Sequence, residues 1–175
     1  PVMQRLADDT GTLALLLVRD HQKMLIVKTW RPRGVASLWL EVGHRLPFNG
    51  TSSGHALLAA LPEENFAQAV TDADGDRGLT QARAREVRRN GQRQLVTAGF
   101  VVTDPDQYFA ANIHAVAVPF HSRDLSEPVI FTCGGMPDVL SVSRMQSEVG
   151  PKLHSAVQEL ERMMGQGPSR ANWDL

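Results

Sequence analysis

The sequence predicts one α/β domain of the α+β type, in which helices flank a mostly antiparallel sheet of six strands. Two observations lead to this fold class. Apolar runs that favour strands come in pairs joined by polar segments, as in β-hairpins. Apolar residues at three- and four-residue spacing, typical of amphipathic helices, occur between these pairs and at both ends of the chain. The length of 175 residues fits a single domain.

The first elements are a helix, a hairpin and a third strand. Helical apolar spacing over residues 2–9 is followed by Gly11, a residue type that commonly ends helices. Two strand-like runs, 13–18 and 24–29, flank a polar segment and predict an antiparallel hairpin. The apolar run VASLWLEVG at 35–43 is predicted to be the third strand.

Alternation within this third run assigns its side chains to two faces. Leu38 and Leu40 share one face of the predicted strand, and Trp39 lies on the other. Tryptophan most often anchors a core or an interface, and its large ring also serves as a ligand wall. Trp39 is therefore a candidate wall residue of a pocket.

Three helices are predicted between the third and fourth strands. The alanine- and leucine-rich segment after Gly54 predicts the first, and the acidic residues after Pro62 begin the second. Thr80 is predicted to cap the third helix, which Gly99 ends.

The last part of the chain predicts three more strands and a long helix. The strand segments are FVVT at 100–103, IHAVAVPF at 113–120 and PVIFTCG at 128–134. Apolar spacing from Ser141 onward predicts a terminal helix that is kinked at Gly150-Pro151. The tail, 166–175, is predicted to fray.

Charge and cysteine content narrow the function classes. The 18 Lys and Arg nearly balance the 19 Asp and Glu, so no nucleic-acid surface dominates this chain. The single cysteine, Cys133, excludes an internal disulfide and fits the cytoplasm. We expect no metal or cofactor, because the six histidines form no dense ligand motif and no phosphate loop is present. No apolar run approaches the roughly 20 residues of a membrane span. The start at Pro1, and not at Met, predicts a piece of a longer protein, and processing of the chain is the alternative.

The segment NGTSSG at 49–54 holds more small polar residues than a helix cap requires. One Ser or Thr side chain is enough to cap the free N–H groups of a helix start. The surplus predicts that this helix start receives an acceptor group, such as a carboxylate, from outside the chain. Ordinary capping is the alternative.

Five segments in a fixed order carry a family likeness: VGHRLPFNGTSSGHALLAALPEE, a helix ending in TAGF, then VVTDPD, IHAVAVPF, and PVIFTCGG before a long terminal helix. This order resembles the C-terminal effector-binding domain of IclR-type bacterial transcriptional regulators. The residues that match the family's pattern are Gly43, Arg45, Pro47, Gly54, Ala56, Leu57, Leu58, Gly99, Phe100, Asp104, Ala117 and Pro119.

The resemblance implies a GAF/profilin-like fold and a function in sensing. It implies a winged helix-turn-helix DNA-binding domain upstream, which this chain lacks, and self-association as a dimer or tetramer. It also implies a small organic effector, often a carboxylate, that controls DNA binding by the upstream domain, and no catalysis.

The resemblance further places the effector site at a helix start and on neighbouring strands. By position, the effector-binding residues are Ser52, Ser53, Gly54, Thr103, Asp104, Ala115, Thr132 and Gly134. Three of them, Thr103, Ala115 and Gly134, replace residues that are more polar in the family, which predicts a larger or more apolar effector. His114, beside the pocket strand, joins Trp39 as a candidate wall residue.

Two other functions compete with sensing. The first is an enzyme on a GAF-like scaffold, for which a resolving cysteine and a nucleophile elbow are both missing. Alternation places Thr132 and Gly134 on one face and Cys133 on the other, so Cys133 is predicted to be a buried, small apolar residue. The second is a dimerisation module with a vestigial pocket. A ligand-sized cavity bounded by Ser53, Thr103 and Thr132 distinguishes sensing from this module.

Overall fold

A computed structural model of the protein describes residues 1–36 and 39–165. The elements, in chain order, are α1 (Val2–Thr10), β1 (Leu13–Asp20), β2 (Lys23–Trp30), β3 (Arg45–Pro47), α2 (Ser52–Ala60), α3 (Glu63–Ala73), α4 (Gln81–Thr97), β4 (Val101–Val102), β5 (His114–Phe120), β6 (Val129–Gly135), α5 (Val142–Arg144) and α6 (Gly150–Met163). None of the helices described is long and apolar enough to cross a membrane.

The six strands form one sheet in the order β3-β2-β1-β6-β5-β4. Every neighbouring pair is antiparallel, which confirms the predicted sheet. The β1–β2 and β5–β6 pairs are the two predicted hairpins, and β1 joins β6 at the centre. Both edges are short, with three residues in β3 and two in β4.

Helices cover both faces of the sheet and produce two cores. One face packs against α2, α3 and α4, and the other packs against α1 and α6. Strand alternation divides the residues between them: Leu13, Leu15 and Leu17 of β1 enter the first core, and Ala14 enters the second. All nine residues of α2 are buried, so this helix lies at the centre of its layer.

The prediction of a third strand over 35–43 is wrong. The described part of this run is irregular, and the strand lies instead at Arg45–Pro47. The chain rejoins the sheet only at Gly43, whose N–H donates to the Ile26 carbonyl at 2.9 Å. Gly43 has φ +95°, a left-handed conformation that interrupts an extended run and favours glycine. Leu38 lies outside the described residues, so its predicted face stays a prediction.

The terminal helix changes its winding near the predicted kink. A π-helical turn, Met145–Val149, joins α5 to α6. Pro151 has no N–H and its ring clashes with the carbonyl four residues earlier, and a wider turn relieves both effects. Gly150 is required by packing, since a Cβ there would lie 2.6 Å from ring atoms of Phe100. The predicted fraying of 166–175 lies outside the described residues.

Candidate functional site

A small cavity lies between the sheet, the start of α2 and the loop that joins β4 to β5; we call it the sheet cavity. Its volume is about 20 Å³, room for about one water molecule. The lining residues are Leu15, Leu17, Leu40, Leu46, Thr51, Ser53, Tyr108, Phe109, Ile113, Ala115, Thr132 and Gly134. Four of the eight predicted effector-binding residues are therefore brought together here: Ser53, Ala115, Thr132 and Gly134.

Strand register creates the floor of the sheet cavity. Ala115 of β5 pairs with Gly134 of β6, and Ala117 pairs with Thr132. Small side chains at these positions leave space beneath α2, where larger residues would fill the core. Cys133 points to the opposite core, as predicted, and is fully buried. Burial raises the pKa of its thiol to about 12, which makes the thiol unreactive.

Thr132 carries an unusual hydroxyl. Its side chain is buried, and among the residues described Oγ1 has no hydrogen-bond partner. A buried polar group without a partner destabilises a fold by about 1–3 kcal/mol, so native proteins rarely keep one. Thr132 is one of the residues that line the sheet cavity, and its Oγ1 is fully buried there.

The start of α2 forms the opposite wall. Thr51 is the N-cap: its Oγ1 accepts from the Gly54 N–H at 3.0 Å and donates to the Pro47 carbonyl at 2.8 Å. Ser53 lines the cavity, and in the described chain no acceptor is found for its N–H. This helix start offers the Ser53 N–H as a donor, together with the positive end of the helix dipole.

Ser52 and Gly54 serve the fold. The Ser52 hydroxyl donates to the Ala115 carbonyl at 2.7 Å and accepts from the Thr103 N–H at 3.2 Å, so it connects α2 to β5 and to the residue that follows β4. A Cβ on Gly54 would lie 2.1 Å from the Phe48 carbonyl oxygen, and glycine is needed for this close approach. Neither residue lines the sheet cavity.

Thr103 and Asp104 line a different, open cleft of about 440 Å³ beside α4. The Asp104 side chain is occupied in a turn, where its Oδ1 accepts from the Asp106 N–H at 2.9 Å. Thr103 is buried, and its hydroxyl lies 3.2 Å from Nδ1 of His55. The sequence prediction therefore combined residues of two separate cavities.

His55 lies between the cleft and the core as a neutral ring. Its Nε2 accepts from the Gly50 N–H at 3.1 Å, so its Nδ1–H donates to Thr103. Burial, with a smaller contribution from the charge of Arg83, lowers the pKa of His55 to about 3. A ring held neutral in this way positions the α2 start and does not bind anions by charge.

The two candidate wall residues lie away from the sheet cavity. Trp39 is 76% exposed, and its ring makes an edge contact with His44 at a centroid distance of 5.6 Å. His114 faces the second core, where its Nδ1 donates to the Leu140 carbonyl at 2.7 Å. Alternation along β5 explains this, because its neighbour Ala115 faces the cavity.

Sequence reasoning missed the residues that close the sheet cavity. Tyr108, Phe109 and Ile113 come from the loop between β4 and β5, and Leu40 comes from the segment before β3. Loops have no period from which a facing direction can be read. The adjacent aromatic pair Tyr108-Phe109 was one available signal, because two large rings in a loop need apolar surface to cover. Ile113 was another, because it lies two residues before Ala115 in the predicted strand 113–120 and alternation places both on one face.

The lining of the sheet cavity contains no Lys, Arg, His, Asp or Glu. An anion there would be held only by N–H groups, hydroxyls and the helix dipole. Across the described residues, no group of three or more His, Cys, Asp and Glu side chains is arranged to hold a metal ion. The chemistry on offer is hydrogen bonding inside an apolar enclosure.

Comparison with known proteins identifies the family. The sequence model of the family described as "Bacterial transcriptional regulator IclR C-terminal" matches residues 1–160. The chain belongs to this family. A curated IclR-type relative, the HTH-type transcriptional regulator TsaQ1/TsaQ2 of Comamonas testosteroni, is 23% identical over 166 residues. The match covers 94% of this chain and 59% of that protein.

Solved structures of the IclR family share the fold. An IclR family transcriptional regulator from Brucella abortus matches with a TM-score of 0.77 and 21% identity, over 93% of this chain and 60% of that one. The inducer-binding domain of PobR from Acinetobacter, a double mutant in complex with 3-hydroxybenzoic acid, matches with a TM-score of 0.70 and 17% identity. That match covers 91% of this chain and 92% of the PobR chain.

The extent of these matches defines what this IclR-type chain corresponds to. It spans about 60% of the length of TsaQ1/TsaQ2 and of the Brucella regulator, and nearly all of the separate PobR domain. The resemblance stated from the sequence is therefore confirmed at the level of family and fold.

Proposed function

We propose that this IclR-type domain senses a small organic molecule in the sheet cavity. The observation that carries the proposal is the buried, unpartnered Thr132 Oγ1, which lies in one enclosure with Ser53 and the start of α2. An acceptor group of the effector would accept a hydrogen bond from the Ser53 N–H, and the rest of the effector would lie along Ala115 and Thr132.

Apolar contact supplies most of the binding energy in this arrangement. A helix start contributes about 0.3–1 kcal/mol to an exposed anion and up to about 2 kcal/mol to a partly buried one. A Kd of about 10 μM corresponds to roughly 7 kcal/mol. The lining consists mostly of leucine, isoleucine and aromatic side chains. Contact with these side chains, once water is excluded, can therefore supply the binding free energy that the helix start does not provide.

The effector must enlarge the cavity as it enters. About 20 Å³ accommodates one water, whereas ligand pockets typically measure about 300–1,000 Å³. The side chains able to move are those of the covering loop, Tyr108, Phe109 and Ile113, since the floor belongs to the central strands. The closed cavity is also the observation that favours the second candidate function, a dimerisation module with a vestigial pocket.

Aromatic carboxylates are the first probes to test. The related PobR domain is a complex with 3-hydroxybenzoic acid, and a ring with one acceptor group suits an apolar enclosure that has a few donors. Thermal-shift screening of benzoate, 3-hydroxybenzoate and 4-hydroxybenzoate should find at least one compound that raises the Tm, because a ligand that binds only the native state stabilises it.

Thr132→Leu then tests the location. The substitution removes the hydroxyl and fills the enclosure, so calorimetry should show at least a tenfold loss of affinity for the compound found. Thr97→Leu, an exposed position on α4, is the matched control and should bind as wild type does. Unchanged affinity in a folded Thr132→Leu protein would place the ligand elsewhere and favour the dimerisation module.

The wider role follows from the family. We infer that effector binding controls DNA binding by a winged helix-turn-helix domain of the whole regulator, that the domains self-associate, and that the regulator acts in the cytoplasm. A net charge of −1 gives this chain no excess of positive charge to neutralise DNA phosphates, which supports DNA binding by another domain. In a gel-shift experiment, retardation of a promoter fragment by this chain alone at physiological salt would contradict the inference that the chain does not bind DNA.

A further inference from the structure

The phenol of Tyr108 lies where the proposed effector would bind. Tyr108 lines the sheet cavity, and its Oη accepts from the Ser52 N–H, in the first turn of α2, at 3.3 Å. The same hydroxyl lies 3.5 Å from the Ser52 Oγ, to which it donates. The chain therefore already brings an aromatic ring with an oxygen acceptor to this helix start.

Tyr108 is held less firmly than the loop that carries it. Its two hydrogen bonds are longer than the usual N–H···O and O–H···O distances of about 2.9 and 2.7 Å, and hydrogen bonds weaken as they lengthen. The loop backbone is fixed by a normal bond of 2.9 Å from the Phe109 N–H to the Gly50 carbonyl. Rotation of one side chain could thus free the Ser52 N–H while the loop stays attached.

Glycine at position 50 shows that this attachment is closely packed. Gly50 has φ +84°, and a Cβ there would lie 3.0 Å from the Gln107 carbonyl oxygen and 3.2 Å from the Phe109 nitrogen. The loop on either side of Tyr108 is therefore seated on the residue that precedes the α2 cap. The Tyr108 side chain lies between these two contacts with Gly50, and it is the part of the covering loop that can move while the backbone stays in place.

We propose that Tyr108 is an internal stand-in for the effector: the effector is a small aromatic compound with an oxygen acceptor, and it binds by displacing the Tyr108 phenol. The inference rests on the proposed function for the place of the site, and it adds the ligand class and the event that opens the cavity. Displacement adds the volume of the Tyr108 ring to the sheet cavity, which now measures about 20 Å³. It also exposes the Thr132 hydroxyl and the Ser52 N–H to one ligand.

Tyr108→Ala tests whether the vacated space is a ligand site. The variant is probed in the 175-residue chain with phenol, which replaces the lost ring and hydroxyl, and with toluene, which replaces the ring alone. Phenol should raise the Tm of Tyr108→Ala saturably and by more than toluene does. The Tm of the wild type should rise less at the same phenol concentration, because the Tyr108 ring competes for the space. Equal shifts with phenol and toluene, or none with phenol, would overturn the inference.

A second variant keeps the ring and so protects the fold. In Tyr108→Phe the Ser52 N–H loses its acceptor, and hydrogen exchange at this amide should become at least threefold faster, whereas exchange in α6 should not change. An unchanged exchange rate at Ser52 would show that the Tyr108 hydroxyl does not protect the Ser52 N–H. It would overturn the proposal that Tyr108 stands in for the effector.

The chain contains a single tyrosine, so displacement can be observed directly. Biosynthetic 3-fluorotyrosine gives one fluorine resonance, which should move toward its solvent-exposed position when an effector found by screening binds. Suppose that Thr132→Leu abolishes binding of a compound and that this compound leaves the fluorine resonance of the wild type unmoved. This result would support sensing in the sheet cavity and would overturn displacement of Tyr108. Phenol binding to Tyr108→Ala that Thr132→Leu leaves intact supports displacement and contradicts the proposed sensing site.

Discussion

Single hydroxyls and ring nitrogens decide what this site can do. Thr132 keeps an unpartnered hydroxyl in the sheet cavity, at a position where valine has the same shape and no desolvation penalty. By contrast, the buried Thr12 hydroxyl has a partner in Thr10 at 2.7 Å. The cost at Thr132 is understandable if its hydroxyl acts only when a ligand is present.

Thr132→Val should therefore stabilise the free protein. Removal of an unsatisfied buried hydroxyl is expected to raise the free energy of unfolding by about 1 kcal/mol, measured by urea denaturation. The same variant should bind an effector more weakly. Thr12→Val is the matched control, and it should lose about 1 kcal/mol because its hydroxyl is paired. A loss of stability in Thr132→Val would mean that the hydroxyl has a partner in solution.

His55 makes stability depend on pH. Burial lowers its pKa to about 3 in the folded protein, and the unfolded value is about 6.5. The unfolded chain therefore binds the extra proton below pH 6.5, and stability falls as the pH falls through that window. Each pH unit corresponds to about 1.4 kcal/mol, so the contribution lost between pH 6.5 and 5 is about 2 kcal/mol.

This pH effect is isolated by comparing wild type with His55→Asn. The free energy of unfolding of the wild type should drop by about 2 kcal/mol more than that of the variant between pH 6.5 and 5. His121 and His154, whose pKa values burial also lowers, are present in both proteins and cancel. Parallel curves for wild type and His55→Asn would contradict a neutral His55.

At the scale of elements, patterns within a few residues of the sequence predicted the hairpins and the helix ends correctly. The β1–β2 and β5–β6 hairpins, the Thr80 cap and the Gly99 stop were read correctly, because period, capping chemistry and left-handed glycines act over a few residues. The strand over 35–43 was not, because the apolar residues described in that run form no strand pairs with β2, which pairs with Arg45–Pro47 instead. Sheet pairing is a tertiary event, and β propensity alone does not decide it.

The site was predicted in part for the same reason. Thr132, Gly134 and Ala115 follow from alternation and from the pairing of β5 with β6, and Ser53 follows from the helix start. Thr103 was expected beside Ser53 and Thr132, and it lines the open cleft instead, because β4 ends at Val102 and the chain turns away there. The covering side chains, Tyr108 above all, depend on loop geometry that the sequence does not encode locally.

The Thr80 cap offers a test at the start of α4. Its Oγ1 accepts from the Arg83 N–H at 3.1 Å on an exposed helix end. Thr80→Ala should lower the free energy of unfolding by about 1 kcal/mol, and Thr80→Asp should restore most of it. Thr71→Ala, at an exposed position inside α3, is the control and should not destabilise. Equal stability of Thr80→Ala and wild type would show that α4 needs no side-chain cap.

At the scale of the whole molecule, the residues that line the sheet cavity can be compared with the large apolar residues that the surface exposes. The sheet cavity lies between the central strands and α2, and its lining includes Leu40 of the segment between β2 and β3. None of the large exposed apolar residues that the structure describes lines the cavity, and three of them, Val35, Trp39 and Val42, belong to that same segment. Exposed apolar residues that form a patch are typical of interfaces.

We therefore expect the chain to self-associate independently of its cavity. Sedimentation velocity over the micromolar range should show a dimer or a larger species, because burying these side chains against a second copy removes apolar area from water. Thr132→Leu should sediment as the wild type does, since its change is internal, whereas Trp39→Ser should shift the distribution toward monomer. A monomeric wild type would contradict assembly through this chain, and a Thr132→Leu monomer would show that cavity and interface are coupled.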